Sequence, residues 1–212
     1  MPATTPAAPS PAAASAAPYA FRPPAWLQRF GALSGVLLAL SIGVPGTIEA
    51  VTGETAVTSA ALGLGTAFGA PAVSALYFHQ APAAGRLGAV GYAVNLVGLA
   101  LFSGVAFALN LVVFFQGSDV LPAPSRVAVL GSVVVFVVGS LLFSASMVRA
   151  GVLPRLAAYG YGLFLPLLAF ASRLPDGVWT SAVHVLAAAS LARLSLAVWP
   201  KAGSTARPEQ VR

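Results

Sequence analysis

Cysteine is absent from the 212-residue chain. Its absence excludes disulfides, thiolate nucleophiles and cysteine-held iron–sulfur centres, and it leaves the redox compartment open. Charge is scarce as well: Asp, Glu, Lys and Arg together make up 8% of the residues, where soluble domains carry about 25%. There are two histidines, His79 and His184. A zinc site needs three or four converging ligands and a haem needs a well-placed axial one, so neither metal nor haem is expected. Nucleophile–base constellations, phosphate-cradling glycine loops and paired carboxylates are also missing, so no enzyme is read here and no cofactor is expected.

What fills the chain instead is apolar: the mean hydropathy is +0.88. A soluble protein of this length cannot hide that much apolar surface, so most of it must be solvated by lipid. The net charge of +6 and sequence pI near 10.5 point toward nucleic acid in a soluble domain. Here the basic residues stand at the ends of apolar runs, as in proteins that cross membranes, and nucleic acid is not an expected partner. Ten of the eleven basic residues are arginine, alongside abundant Ala, Gly, Val and Pro. That composition suits a GC-rich bacterial genome.

The spacing predicts an all-α membrane bundle of six transmembrane helices. Residues 1–25 carry seven prolines, Pro2, Pro6, Pro9, Pro11, Pro18, Pro23 and Pro24, among Ala, Ser and Thr. They lack the apolar core of a signal peptide and read as a disordered cytoplasmic tail, a linker more than a docking segment. The transmembrane domain spans 26–199, and residues 200–212 form a second polar, basic tail. Six apolar runs, each near the length of about 20 residues that a span requires, lie at Leu27–Ala50, Ala56–Phe78, Leu87–Phe115, Val127–Val148, Leu156–Ser172 and Val178–Trp199. The connectors between them hold the turn formers: Gly53, then Pro82 and Gly85, then Pro122 and Pro124, then Gly151 and Pro154, then Pro175.

With six spans both termini share a side. If that side is cytoplasmic, Arg22, Arg29, Arg86, Arg149, Arg155, Arg193, Lys201, Arg207 and Arg212 lie inside, and Arg126 and Arg173 outside. The acids are reversed, with Glu49, Glu54, Asp119 and Asp176 outside and Glu209 inside. The positive-inside rule therefore selects N-in, C-in, in a bacterial cytoplasmic (inner) membrane, and Trp26, Trp179 and Trp199 fall at interfaces.

The longest apolar stretch runs from Arg86 to Gln116, ~45 Å of helix. Gly88, Gly91, Asn95, Gly98, Ala106 and Asn110 recur along it at steps that place them on one stripe. In lipid, small and amide residues on one stripe face other helices. Gly31 with Gly35, Gly65 with Gly69 and Ala188 with Ala192 are further small-residue pairs, read as contacts within the bundle.

Ionisable groups inside the membrane are the functional suspects. Glu49 lies in the last turn of the first span, and His184 about two turns into the last, at similar depth. They are candidates for a polar pair, although a rim carboxylate and a histidine bonded to a neighbouring helix are the plainer readings. Arg193 reaches headgroups by snorkelling. Pro71 and Pro166 interrupt the second and fifth spans, freeing the carbonyls of Ala67 and Gly162. Spans two and five correspond in an inverted three-plus-three repeat, the pattern that points to a transporter's site.

Gly85-Arg86-Leu87-Gly88 and the run Ser146-Met147-Val148-Arg149-Ala150-Gly151-Val152-Leu153-Pro154-Arg155 resemble the small polytopic membrane proteins of unknown function, of the DUF4386-like group, found in actinobacteria and related bacteria. The resemblance covers spans three to six and implies an integral membrane protein with no assigned activity and no site residues. The second run also has a local explanation, with Gly151 as a helix C-cap and Pro154 as a first helical residue. The reading that follows is a non-enzymatic membrane protein acting through helix packing. Its expected partners are the lipid bilayer and other membrane proteins or a second copy. The alternative is a small-solute transporter or channel near the proline-interrupted spans.

Overall fold

The computed structural model describes residues 23–117, 121–171 and 177–199. Every element among them is helical. α1 (Ala25–Thr52) begins directly after Pro23-Pro24 and ends at Gly53, whose N–H returns to the Glu49 carbonyl. α2 (Ala56–Gly65) opens with a capping box in which Thr55 and Thr58 bond each other's backbone. This satisfies N–H groups that the first turn leaves without partners. A 3-10 turn (Thr66–Phe68) leads into α3 (Gly69–Ala108), a π-turn (Leu109–Val113) and a short α4 (Phe114–Gln116). α5 (Ala123–Ala150), α6 (Arg155–Ala171) and α7 (Val178–Ala197) complete the bundle. The expected N-terminal and C-terminal tails and the residues Asp119, Arg173 and Asp176 lie outside the described residues.

Within α3, Gly85 has φ 56° and ψ −157°. A helix that continued straight would put Ser74 and Tyr92, eighteen residues apart, ~27 Å from each other. Instead their hydroxyls bond at 2.9 Å, and Tyr77 stacks on Tyr92 with ring centroids 4.2 Å apart. The chain therefore folds back on itself at one residue. The eight-residue connector expected between His79 and Arg86 is helical on both sides of Gly85, because glycine alone tolerates this backbone and completes the reversal without a loop. Two further boundaries move. α5 starts four residues before Val127 with Pro124 in its first turn, where the missing N–H costs nothing. Pro154 precedes the first residue of α6, its carbonyl accepting from Ala158 N at 3.0 Å, so it caps α6 from outside. Gly151 does end α5 in the left-handed region, φ 67°.

The most extensive pairings are α3 with α5 and α1 with α7, with α6 bridging α5 and α7. Glycine makes them close. A Cβ on Gly98 would stand 2.6 Å from the Phe136 backbone, one on Gly139 2.4 Å from Asn95 Cα, and one on Gly31 2.4 Å from Ala75 Cβ. Backbones at this separation gain dispersion contacts that longer side chains would prevent, the main source of cohesion between helices in lipid. The predicted stripe is real over Gly88, Gly91, Asn95 and Gly98, all buried.

The outside is apolar and the inside partly polar. Leu156, Trp179, Val178 and Val127 are more than 70% exposed, whereas Gln80, Asn95, Ser140 and Ser59 are fully buried. Four helical stretches among the described residues are long and apolar enough to cross a membrane: Ala25–Thr52, the folded-back Ala56–Gln116, Ala123–Ala150 and Val178–Ala197. α6 is a shorter apolar helix. Such an exterior suits lipid, and the polar residues are sequestered where neighbouring helices satisfy them.

Candidate functional site

One end of the bundle, here the upper, carries the α1–α2 connector and the flanks of the 117–122 and 172–177 segments. The lower end carries Gly85, the α5–α6 connector and the start of α1. The lower half is closed. Gln28 Nε2 ties α1 to the Ala75 carbonyl at 3.2 Å, and Gln80 Nε2 donates to Ser146 Oγ at 3.3 Å. Phe143 and Met147 are fully buried beside them.

The upper half encloses a cavity of about 710 Å³. Its walls come from every main helix: Leu38, Ile42 and Glu49 of α1, Leu62 of α2, Val73 and Phe102 of α3, Phe136 of α5, Leu165 and Leu168 of α6, Thr180 and His184 of α7. Thr66 in the 3-10 turn and Asn110 in the π-turn also line it. From Glu49 near the mouth to Leu38 at the bottom is ~16 Å of helix rise, about half a bilayer's hydrocarbon thickness.

The floor is a polar knot. Asn95 Nδ2 donates to the Tyr161 hydroxyl, and Ser140 Oγ donates to Asn95 Oδ1 at 3.2 Å. Ser140 and Tyr161 also bond through their side chains. Asn95 thus uses both ends of its amide to join α3, α5 and α6, and all three residues are almost wholly buried. Of the three, Tyr161 faces the cavity.

Of the sequence candidates, Glu49, Asn110 and His184 meet at this cavity. Glu49 is not a rim residue: it is 6% exposed. α7 reaches it because Gly46, one turn earlier on α1, has no side chain. A Cβ there would stand 2.3 Å from His184 Cβ. His184 Nδ1 lies 2.8 Å from the Thr180 carbonyl. A carbonyl only accepts, so Nδ1 carries the proton and the neutral ring keeps Nε2 as an acceptor. Asn110 Nδ2 donates to the Ala106 carbonyl at 2.8 Å, which leaves its Oδ1 as the side-chain acceptor.

Asn95 supports the floor without lining the cavity. Pro71 and Pro166 lie elsewhere. Pro71 sits just after the 3-10 turn and meets α1, its carbonyl 2.8 Å from a Cβ placed on Gly31. Pro166 is buried inside an α6 that stays helical throughout. Span two is therefore interrupted and span five is not. His79, at the lower end, is exposed, and partial desolvation of its ring holds its pKa below the ordinary histidine value.

Two residues of the site escaped the sequence reading. Tyr161 could have been found from the rule that a buried tyrosine hydroxyl needs a partner. Glu54 sits in a connector, yet it lines the cavity mouth and accepts a 2.5 Å hydrogen bond from Ser59. Among the described residues no three His, Asp or Glu side chains converge to hold a metal ion. Compared with known proteins, the chain matches no family model, no curated protein and no solved structure.

Proposed function

We propose that this chain is a six-span membrane protein, N-in and C-in, that admits a small solute from the outer side into its central cavity, as a transporter or channel does. The upper end of the bundle is then the outer face. This places the site between spans one, two, three and six, with span five closing the floor, and moves it away from the two prolines.

One observation carries the proposal: a cavity half a membrane deep, walled by every main helix and shut at its lower end. Packing alone gives no reason for so large a space in a bundle whose lower half excludes it. Pockets of about 300–1,000 Å³ with apolar walls and a few converging polar groups are the ordinary form of small-molecule sites. The π-turn at Leu109–Val113 adds to this reading, since π-turns inside α-helices frequently occur at functional positions. The proposal includes no catalytic step.

The absence of cysteine makes the test direct. Ser103→Cys, on the cavity wall, is labelled in intact cells with a small membrane-impermeant maleimide, with Thr52→Cys as the outside control and Ala83→Cys as the inside control. The proposal expects reaction at 103 and 52 and silence at 83. Silence at 103 while 52 reacts would return the protein to the other reading, a dry bundle acting through contacts with lipid or other membrane proteins.

A further inference from the structure

The cavity's chemistry is one-sided, and this narrows what it takes. Glu49, buried on the wall, and Glu54, at the mouth, bring two carboxylates. His184 presents an acceptor Nε2, and Asn110 Oδ1 is a further acceptor, because the protons of both groups are turned to backbone carbonyls. Thr180 spends its hydroxyl locally, donating to the Gly177 carbonyl and accepting from Gly177 N. Among the described residues that line the cavity there is no lysine or arginine.

A solute there meets carboxylates and lone pairs, which rewards a positively charged N–H donor and repels an anion. Deeper in, the walls are aliphatic, with the Phe102 and Phe136 rings stacked 4.6 Å apart. Aromatic faces attract cations and pack against an apolar body.

Resting on the cavity reading above, we infer that the ligand is an organic ammonium ion with an apolar body. Its charged end lies toward Glu49 and Glu54 and its body toward Phe102, Phe136 and Leu165. Bare metal ions fit less well, because most of the wall offers them nothing to replace water. The charged end of Glu49 sits one turn above Pro45, a proline inside α1 that lacks the donor to the Ser41 carbonyl. That interruption lets α1 adjust at the level where charge is held.

The same Ser103→Cys protein tests the inference by protection. Purified in detergent, it is labelled with maleimide in the presence of 3-phenylpropylammonium, 3-phenylpropanol or 3-phenylpropanoate, which share one body and differ in charge. The ammonium is expected to slow labelling at concentrations about tenfold or more below those needed of the alcohol, with no protection by the carboxylate. Glu49→Gln is expected to abolish that preference, and Glu54→Gln, at the more exposed mouth, to reduce it about two- to fivefold.

Repeating the labelling in phosphatidylglycerol nanodiscs, with and without phosphatidylethanolamine, separates sources. Protection by the aminolipid alone would identify the ammonium as a lipid headgroup, and its absence would identify a free solute. Equal protection by alcohol and ammonium, or an undiminished preference in a folded Glu49→Gln protein, would overturn the inference. Labelling at 103 that no ammonium slows would overturn it while the cavity reading stands. Failure of 103 to label at all, with Thr52→Cys reactive, would overturn the cavity reading itself.

Discussion

Gly46 and His184 meet so closely that the glycine's missing side chain is what lets α7 lie against α1: a Cβ at 46 would stand 2.3 Å from His184 Cβ and 2.4 Å from its Cγ. The contact fixes the height at which the imidazole faces the cavity, one turn below Glu49. Gly46→Ala is therefore expected to destabilise the protein by about 1–3 kcal/mol through overpacking. His184→Ala should relieve part of that cost, giving a measurable coupling in a double-mutant cycle read by thermal unfolding in detergent. Strict additivity would mean the two residues do not share the contact.

The α3–α5 seam makes a sharper contrast between glycines. Gly98→Ala puts a methyl 2.6 Å from the Phe136 backbone, whereas Gly104 and Gly131 have nothing within 4 Å. The first change should lower the unfolding midpoint, by about 1–3 kcal/mol of stability. The other two should be neutral or raise it slightly, by up to about 1 kcal/mol, as alanine restricts the unfolded chain more than glycine. A midpoint unchanged by Gly98→Ala would show that the seam is looser than described.

Much of this seam was legible in the sequence, and the reasons are physical. Gly88, Gly91, Asn95 and Gly98 recur with the helical period, and in lipid a stripe of small residues can only be a packing surface. Glu49 and His184 were placed at one depth by counting residues from span ends, which works because helical rise is uniform. Other features leave no such trace. The reversal at Gly85 looks like an ordinary loop in sequence, since Pro82 and Gly85 mark a turn without giving its length. The π-turn at Leu109–Val113 depends on how the upper end of the helix meets Gly63 and has no residue signature. Pro71 and Pro166 drew attention to themselves, yet proline marks a missing hydrogen bond and not which side of the helix faces a cavity.

Gly85 and Gly151 both have positive φ but differ in ψ: −157° at Gly85 and 11° at Gly151. Asparagine visits the left-handed helical region and not the region Gly85 occupies. Gly151→Asn should accordingly be tolerated within about 0.5–1 kcal/mol, while Gly85→Asn should cost about 1–3 kcal/mol and loosen the hairpin. Loss of the Ser74–Tyr92 and Tyr77–Tyr92 contacts would appear as a change in near-ultraviolet circular dichroism. Equal tolerance at both positions would contradict the single-residue reversal.

The polar knot at the cavity floor predicts non-additive losses. Tyr161→Phe leaves the Asn95 amide without its acceptor, and Ser140→Ala leaves Asn95 Oδ1 without its donor. Each is expected to cost about 0.6–1.7 kcal/mol, the range for hydrogen bonds between helices in lipid. The double variant should cost less than the sum, because once the cycle is open the second bond has less to hold in place. Full additivity in thermal unfolding would indicate three independent contacts.

The central claim is a cavity open above and shut below, and Leu165 tests it most directly. It lines the cavity deep on α6 while being 7% exposed. Leu165→Cys should react with an impermeant maleimide added to intact cells and stay silent in inside-out vesicles in which Ala83→Cys reacts. Reaction from the inner side, or silence from the outer side with Thr52→Cys reactive, would contradict it.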